Sequence, residues 1–302
     1  MSLLVTGSIG IDTVESPGGT VKDALGGSSI YFSQAASYFG PVRLVGVVGD
    51  DAPEDFLKPL ADNPMIDLHG LEVRQGSRTF RWHGRYRDHD VNERDTINVE
   101  LNVLGEAGPK IPPTYVDSRY VFLANTHPAL QVEMLEQIAE PRLVVADTMN
   151  LWIENERDAL LALLARIDGL VLNDSEAKLL SGKANLVAAG LDIAKLLRKF
   201  VIVKKGEHGS ILFMDGQAHP LPGFPALDVV DPTGAGDTFA GAMMGHLAAE
   251  DGLNAATLRR GIAYGTVAAS FALEDFSLNR LLAIDRDDIE RRLAAFRELV
   301  VF

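Results

Sequence analysis

Val230-Asp231-Pro232-Thr233-Gly234-Ala235-Gly236-Asp237, running into the apolar stretch 238–248, is the part of this 302-residue chain whose reading decides the rest. Gly234, Ala235 and Gly236 carry almost no side chain, so the oxygens of an anion can come close to their backbone N–H groups. The apolar run predicts a buried helix over about 234–250. Its first turn leaves amides without intrahelical partners, and its dipole puts partial positive charge at the same point. Asp237 is unusual in such a place, because a carboxylate repels the anion beside it. It is worth tolerating where it takes a proton from the group that attacks phosphorus. As a bare pattern, Gly-x-Gly-Asp also describes a tight turn with an acidic helix start.

Outward from this point, short β-branched runs alternate with helical patterns. The runs are 3–7, 42–49, 120–125, 142–147, 169–173 and 200–205. Their near-continuous apolar character predicts parallel strands covered on both faces. Helices are expected at about 28–39, 52–62, 128–139, 156–166, 174–181, 187–199, 254–272 and 285–299. The alternation predicts an α/β fold with a doubly wound, mainly parallel sheet and ligands beyond the carboxyl ends of its strands. The stretch 67–103 breaks the rhythm. Its segment RTFRWHGRYRDHD alternates polar and aromatic residues without a helix period, which predicts antiparallel strands outside the main sheet. With 12–25 it forms an expected small β lid, and the whole of 1–302 reads as one domain with that lid inserted.

Composition narrows the partners. Forty-two acidic against 28 basic residues leave a formal charge of −14, a surface that repels nucleic acid and anionic membranes. Binding of a nucleotide must then be local, carried by backbone amides, a lysine or two and Mg²⁺ within a Debye length of roughly 8 Å. The absence of cysteine excludes disulfides and thiolate metal sites. No window approaches the roughly 18–20 apolar residues of a membrane span, so a cytoplasmic location is expected. The histidines form no HxxH or HxxxH pair and none is read as a metal ligand. GSIGID at 7–12 lacks the GxGxxG spacing of a dinucleotide fingerprint.

The string at 230–237 resembles the C-terminal signature of the ribokinase/PfkB family of carbohydrate and nucleoside kinases, usually written DTxGAGD. Asp231, Thr233, Gly234, Ala235, Gly236 and Asp237 match it, and Pro232 departs from the usual order as a variation known within the family. The resemblance extends along nearly the whole chain and implies a ribokinase-like, Rossmann-like three-layer fold. It implies that the amides of Gly234, Ala235 and Gly236 form the anion hole for the transferred phosphate and that Asp237 is the catalytic base.

Further matches follow. Gly26-Gly27-Ser28-Ser29 reads locally as a loop whose Ser28 or Ser29 caps the next helix; the resemblance implies that Gly26, Gly27 and Ser28 contact sugar hydroxyls. Asp12 stands where the family has an Asp that holds a vicinal diol, a geometry suited to a carboxylate, while the neighbouring family Asn is Gly10. Asn173 and Glu176 match the family's NxxE motif after a strand, implying a Mg²⁺ site reached through water; the same pair also describes a helix cap. Lys204, Lys205, Gly206 and Gly209 resemble the nucleotide loop, with Lys204 in place of a Thr. Ala268, Ala269, Ser270 and Phe271 lie where the adenine wall forms. Asp147 and Thr148 end a strand at the ligand edge. Asp231 and Thr233 stand where relatives bind a monovalent cation, and a weak K⁺ effect is expected.

The implied activity is ATP- and Mg²⁺-dependent phosphorylation of a hydroxymethyl group on a small furanose. A nucleoside kinase is the alternative, because Phe80, Trp82, Tyr86, Tyr31 and Phe32 offer faces on which a base stacks. A non-catalytic binder on the same fold has no use for Asp237. A homodimer paired through the lid strands is a further expectation.

Overall fold

The computed structural model describes residues 1–53, 55–87 and 90–300. The strands are β1 (Leu3–Thr6), β2 (Gly10–Ser16), β3 (Gly19–Gly26), β4 (Val42–Gly49), β5 (Ile66–Arg74), β6 (Phe80–Arg87), β7 (Asp90–Glu100), β8 (Tyr120–Leu123), β9 (Leu143–Asp147), β10 (Gly169–Asn173), β11 (Phe200–Lys204), β12 (Ser210–Met214) and β13 (Gln217–Leu221). Nine of them form one sheet in the order β13-β12-β11-β10-β9-β8-β1-β4-β5. Every pairing from β11 to β5 is parallel, and β12 and β13 add an antiparallel edge.

The alternation of side chains explains why these runs are apolar throughout. Leu3 and Val5 of β1 point into a core shared with helices Ser28–Ser37, Ala235–Glu250, Ala255–Ala272 and Arg286–Val300. Leu4 points into a second core with Pro128–Glu136, Arg157–Leu164, Asp174–Ser181 and Leu186–Ala194 on the opposite face. Both faces are covered, so both parities are apolar. The expected doubly wound, three-layer architecture is what the chain adopts. Among the described residues no helix is long and apolar enough to cross a membrane.

Two expectations are corrected. Of the helix expected at 52–62 only Lys58–Ala61 forms, because Pro59 lacks an N–H and is tolerated only in a first turn. Residues 66–74 belong to the main sheet as β5, parallel to β4, so the small sheet begins later than residue 67.

That small sheet contains β3-β2-β6-β7. Hairpins β2/β3 and β6/β7 are each antiparallel as expected, whereas the seam β2/β6 between them is parallel. Asp88 and His89 of the expected lid lie outside the described residues. The sheet is tied to the main body by Ser16 Oγ donating to Val230 O, Ser277 Oγ donating to Leu25 O and Thr233 Oγ1 to Tyr86 Oη at 3.3 Å.

Candidate active site

Between the small sheet and the carboxyl ends of the parallel strands lies a cleft of about 760 Å³, within the roughly 300–1,000 Å³ of small-molecule sites. Its floor is the loop before helix Ala235–Glu250. Asp231 Oδ1 accepts from Thr233 N at 2.8 Å and Ala235 N donates to Pro232 O at 3.3 Å, closing a compact turn. Gly234 then takes φ 74°, and a Cβ there would lie 2.3 Å from the Tyr31 ring. Only glycine serves at this position. The helix starts without a side-chain cap, so its first amides face the cleft. Because the Ala235 amide is engaged inside the turn, the expectation that all three cradle amides face an anion is revised to the flanking ones.

Asp237 lies in the first turn of that helix and lines the cleft. Loss of hydration raises its pKa to about 6, against the pull of Lys204 and Arg94. Lys204 ends β11, and a side chain begun at Gly236 would start 2.6 Å from its Nζ, so the ammonium sits directly over the cradle. Asp147, buried at the end of β9, has its pKa pushed well up by burial and then by the Asp237 charge. Its Oδ1 and Thr148 Oγ1 are buried without a partner among the described residues.

Asp12 is 5% exposed and its carboxyl is pushed up to about 7, first by burial and then by Asp231 and Asp237. Its Oδ1 has no hydrogen-bond partner among the described residues. A buried acceptor left open costs free energy until a donor arrives, which fits a ligand hydroxyl. Gly26 packs directly on Asp12, and Gly27, at φ 101°, leaves 2.4 Å between a would-be Cβ and Ser8 O. Gly27 is itself the N-cap of helix Ser28–Ser37 and no side chain caps it. The expected capping by Ser28 or Ser29 is thereby corrected: Ser28 N donates to Ser8 Oγ at 3.0 Å, Ser8 N to Ser28 Oγ at 3.2 Å, and Ser29 Oγ to Ser8 O at 2.8 Å. These bonds brace the rim on which Ser28 and Tyr31 meet the cleft.

Asn173 and Glu176 form a reciprocal capping box: Asn173 N donates to Glu176 Oε2 and Glu176 N to Asn173 Oδ1, both at 2.8 Å. Both also line the cleft, and burial raises the Glu176 pKa. The described residues contain no group of three or more acidic or histidine side chains arranged to cage a metal. The open Asp147 Oδ1 and the buried Glu176 carboxylate nevertheless supply hard oxygens at one end of the cleft, a donor set that suits Mg²⁺ held largely by water and phosphate.

Other expected residues are placed elsewhere. Lys205, Gly206 and Gly209 form an outer loop closed by Lys205 N donating to Gly209 O at 2.7 Å, outside the residues that line this cleft. Ser270 is 4% exposed, donates to Val267 O at 2.6 Å and accepts from Arg292 Nη1 at 3.0 Å. Its hydroxyl is thus committed within the helix packing, which corrects its assignment to a nucleotide wall. Phe32 is stacked on Phe122 in the core at 4.6 Å and offers no face to a ligand. Asp231 is 1% exposed, its Oδ2 without a partner among the described residues, while the Leu273 carbonyl accepts from Val230 N at 2.8 Å and Asp231 N at 3.4 Å.

Arg94 was not anticipated from the sequence. It reaches the cleft from β7, its guanidinium 5.6 Å from the Trp82 ring centre, and its charge is felt by Asp12, Asp237 and Glu176. Strand alternation places Arg94 and Thr96 on the cleft face. A bulge opposite His83/Gly84 then shifts the parity, so that Val99 and Leu101 continue the same wall. Such a shift follows from the one extra residue of a bulge.

The profile of the pfkB family carbohydrate kinase matches residues 4–282. A cytidine kinase of Thermococcus kodakarensis is 28% identical over 250 residues, 81% of this chain and 87% of that protein. Aminoimidazole riboside kinase of Salmonella enterica, solved with aminoimidazole riboside and an ATP analogue, superposes with a TM-score of 0.76 at 19% identity, covering 97% of this chain and 100% of that one. An Escherichia coli protein described as a putative ribokinase II, solved with ATP and Mg²⁺, gives 0.77 at 20% identity over 97% and 99%.

Proposed function

This chain belongs to the pfkB family of carbohydrate kinases, phosphotransferases with an alcohol acceptor, and on that footing we propose that it transfers the γ-phosphate of ATP to a primary hydroxyl of a small furanose. The observation that carries this reading is the pairing, in one cleft, of an open buried acceptor on Asp12 with Asp237 at the lip of an uncapped helix start. Asp12 accepts the hydroxyls of the ring, with Gly26, Gly27 and Ser28 shaping the rim. Asp237 takes the proton of the attacking hydroxyl as its oxygen bonds to phosphorus and the bond to the ADP oxygen breaks. The amides at the start of helix Ala235–Glu250 and Lys204 receive the charge on the transferred group.

Mg²⁺, when bound, neutralises charge on the nucleotide phosphates; Glu176, Asn173 and Asp147 are the residues that would hold its water shell. The loop at Lys205–Gly209 is assigned to the nucleotide's outer part. The small sheet acts as a lid that excludes water from the reacting phosphate. Its free edges, β3 and β7, are where a second copy would pair. Asp231 and Thr233 give K⁺ at most a modest effect, because the stretch 273–281 that would complete such a site has no glycine to turn its carbonyls inward. A purely binding role has no use for the Asp237 carboxylate at the lip of the cradle, where it repels the phosphate beside it.

The test is ADP release with ribose, fructose and ribonucleosides as acceptors, followed by ³¹P NMR of the product. Acceptor-dependent ADP formation and a monoester on a primary carbon are expected. ATP hydrolysis indifferent to every acceptor would contradict the proposal.

A further inference from the structure

Resting on the kinase reading above, we infer that the furanose acceptor is a nucleoside, with its base seated in an apolar annex of the cleft between Leu101 and Leu104 on one wall and Leu130, Leu151 and Trp152 on the other. All five line the same cavity. Leu101 and Leu151 are 43% and 41% exposed, so the cleft leaves large aliphatic side chains in water. Apolar surface gathered in a concave site marks what the site is built to cover. A bare furanose presents hydroxyls around its ring. Asp12 and the Gly26–Ser28 rim offer those hydroxyls partners, whereas the five annex side chains carry one polar group, the Trp152 N–H, already bonded to Asn125. A base brings two flat apolar faces and a polar edge, which is the complement of this surface.

Trp152 supplies the face and Asn125 the edge. The Trp152 ring is held by its Nε1–H donating to Asn125 Oδ1 at 2.9 Å and by the His127 ring at 5.1 Å. Since an indole nitrogen only donates, that bond fixes which end of the Asn125 amide is oxygen. The amide nitrogen is then directed at Met149 Sδ at 3.2 Å, a weak acceptor. A carbonyl or ring nitrogen on a base edge is a stronger one, and Asn125 is the residue positioned to exchange the thioether for it. Trp152 and Asn125 are therefore assigned as specificity-determining residues.

The chain has two tryptophans, Trp82 and Trp152, both at the cleft, which provides a binding readout independent of turnover. In Trp82→Phe the remaining emission reports Trp152. Cytidine and inosine should each change it saturably and ribose should not. In turnover, kcat/KM for at least one ribonucleoside should exceed that for ribose by more than tenfold. Trp152→Ala should raise the nucleoside KM about tenfold or more, with Trp152→Phe restoring most of the loss because the ring face returns. Efficient turnover of ribose or fructose with no nucleoside preferred would overturn the inference and leave the kinase proposal standing. Absence of turnover with every acceptor would instead count against the kinase proposal, and the fluorescence titration would then decide the annex: no response to any nucleoside overturns it.

Discussion

At the scale of single residues, the cleft sets two oppositely acting influences on Asp237. Burial raises its pKa to about 6, and Lys204 is the first influence lowering it. A base must be ionised, so kcat/KM for the acceptor should be level above the folded pKa and fall about tenfold per pH unit below about 6. Lys204→Met removes the lowering charge, so the acid limb should move to higher pH while kcat also drops. A pH–rate profile in which the limb stays put would show that Lys204 does not act on Asp237. Glu176→Gln separates two roles of one residue. The amide oxygen still accepts from Asn173 N, so the capping box and the melting temperature should change little, while the Mg²⁺ needed for half-maximal rate should rise about tenfold. An unchanged Mg²⁺ titration would leave Glu176 a helix cap only. Asp237 was marked in the sequence by the small residues beside it, whereas Asp12 and Glu176 were singled out through the family resemblance; all three line the cleft. Arg94 was not legible, since nothing local to β7 says which of its faces meets the cleft, and the bulge opposite His83/Gly84 sets Arg94 and Val99 on one wall although they differ in parity. Ser270 was misread because its partner Arg292 lies 22 residues away.

At the scale of elements, the lid assignment predicts a measurable response. Amide exchange in Gly10–Gly26 and in the described part of Phe80–Glu100 should slow when a true acceptor saturates the cleft, and no protection would count against a closing lid. The parallel core strands were legible because both faces are buried and the runs read as unbroken apolar stretches. The β12/β13 hairpin went unread although its signal was present: Asp215 and Gly216 take φ 52° and 72°, the paired left-handed turn that Asp-Gly between alternating residues favours. β5 was grouped with the lid because an edge strand of a parallel sheet is half exposed and so alternates like an antiparallel one. The parallel seam β2/β6 joins segments about 70 residues apart and carries no local signature.

At the scale of the whole molecule, a formal charge of −14 opposes the approach of ATP, while binding is local to Lys204, Arg94 and a helix start. Raising ionic strength from about 0.01 to 0.15 M shortens the screening length from roughly 30 to 8 Å. The encounter should then improve, and kcat/KM for ATP should rise; a steep fall would mean that the cleft's own cations dominate at long range. The central claim is that the cradle and Asp237 form one catalytic unit, and Asp237→Asn tests it most directly, measured as kcat alongside ATP affinity and melting temperature at pH 8. The amide keeps the shape and loses the proton acceptor, so kcat should fall by about 10² to 10⁴ with ATP affinity nearly unchanged. The melting temperature should rise, because a carboxyl whose folded pKa is raised destabilises the fold above that pKa. Retention of more than about a tenth of the wild-type kcat would contradict the account.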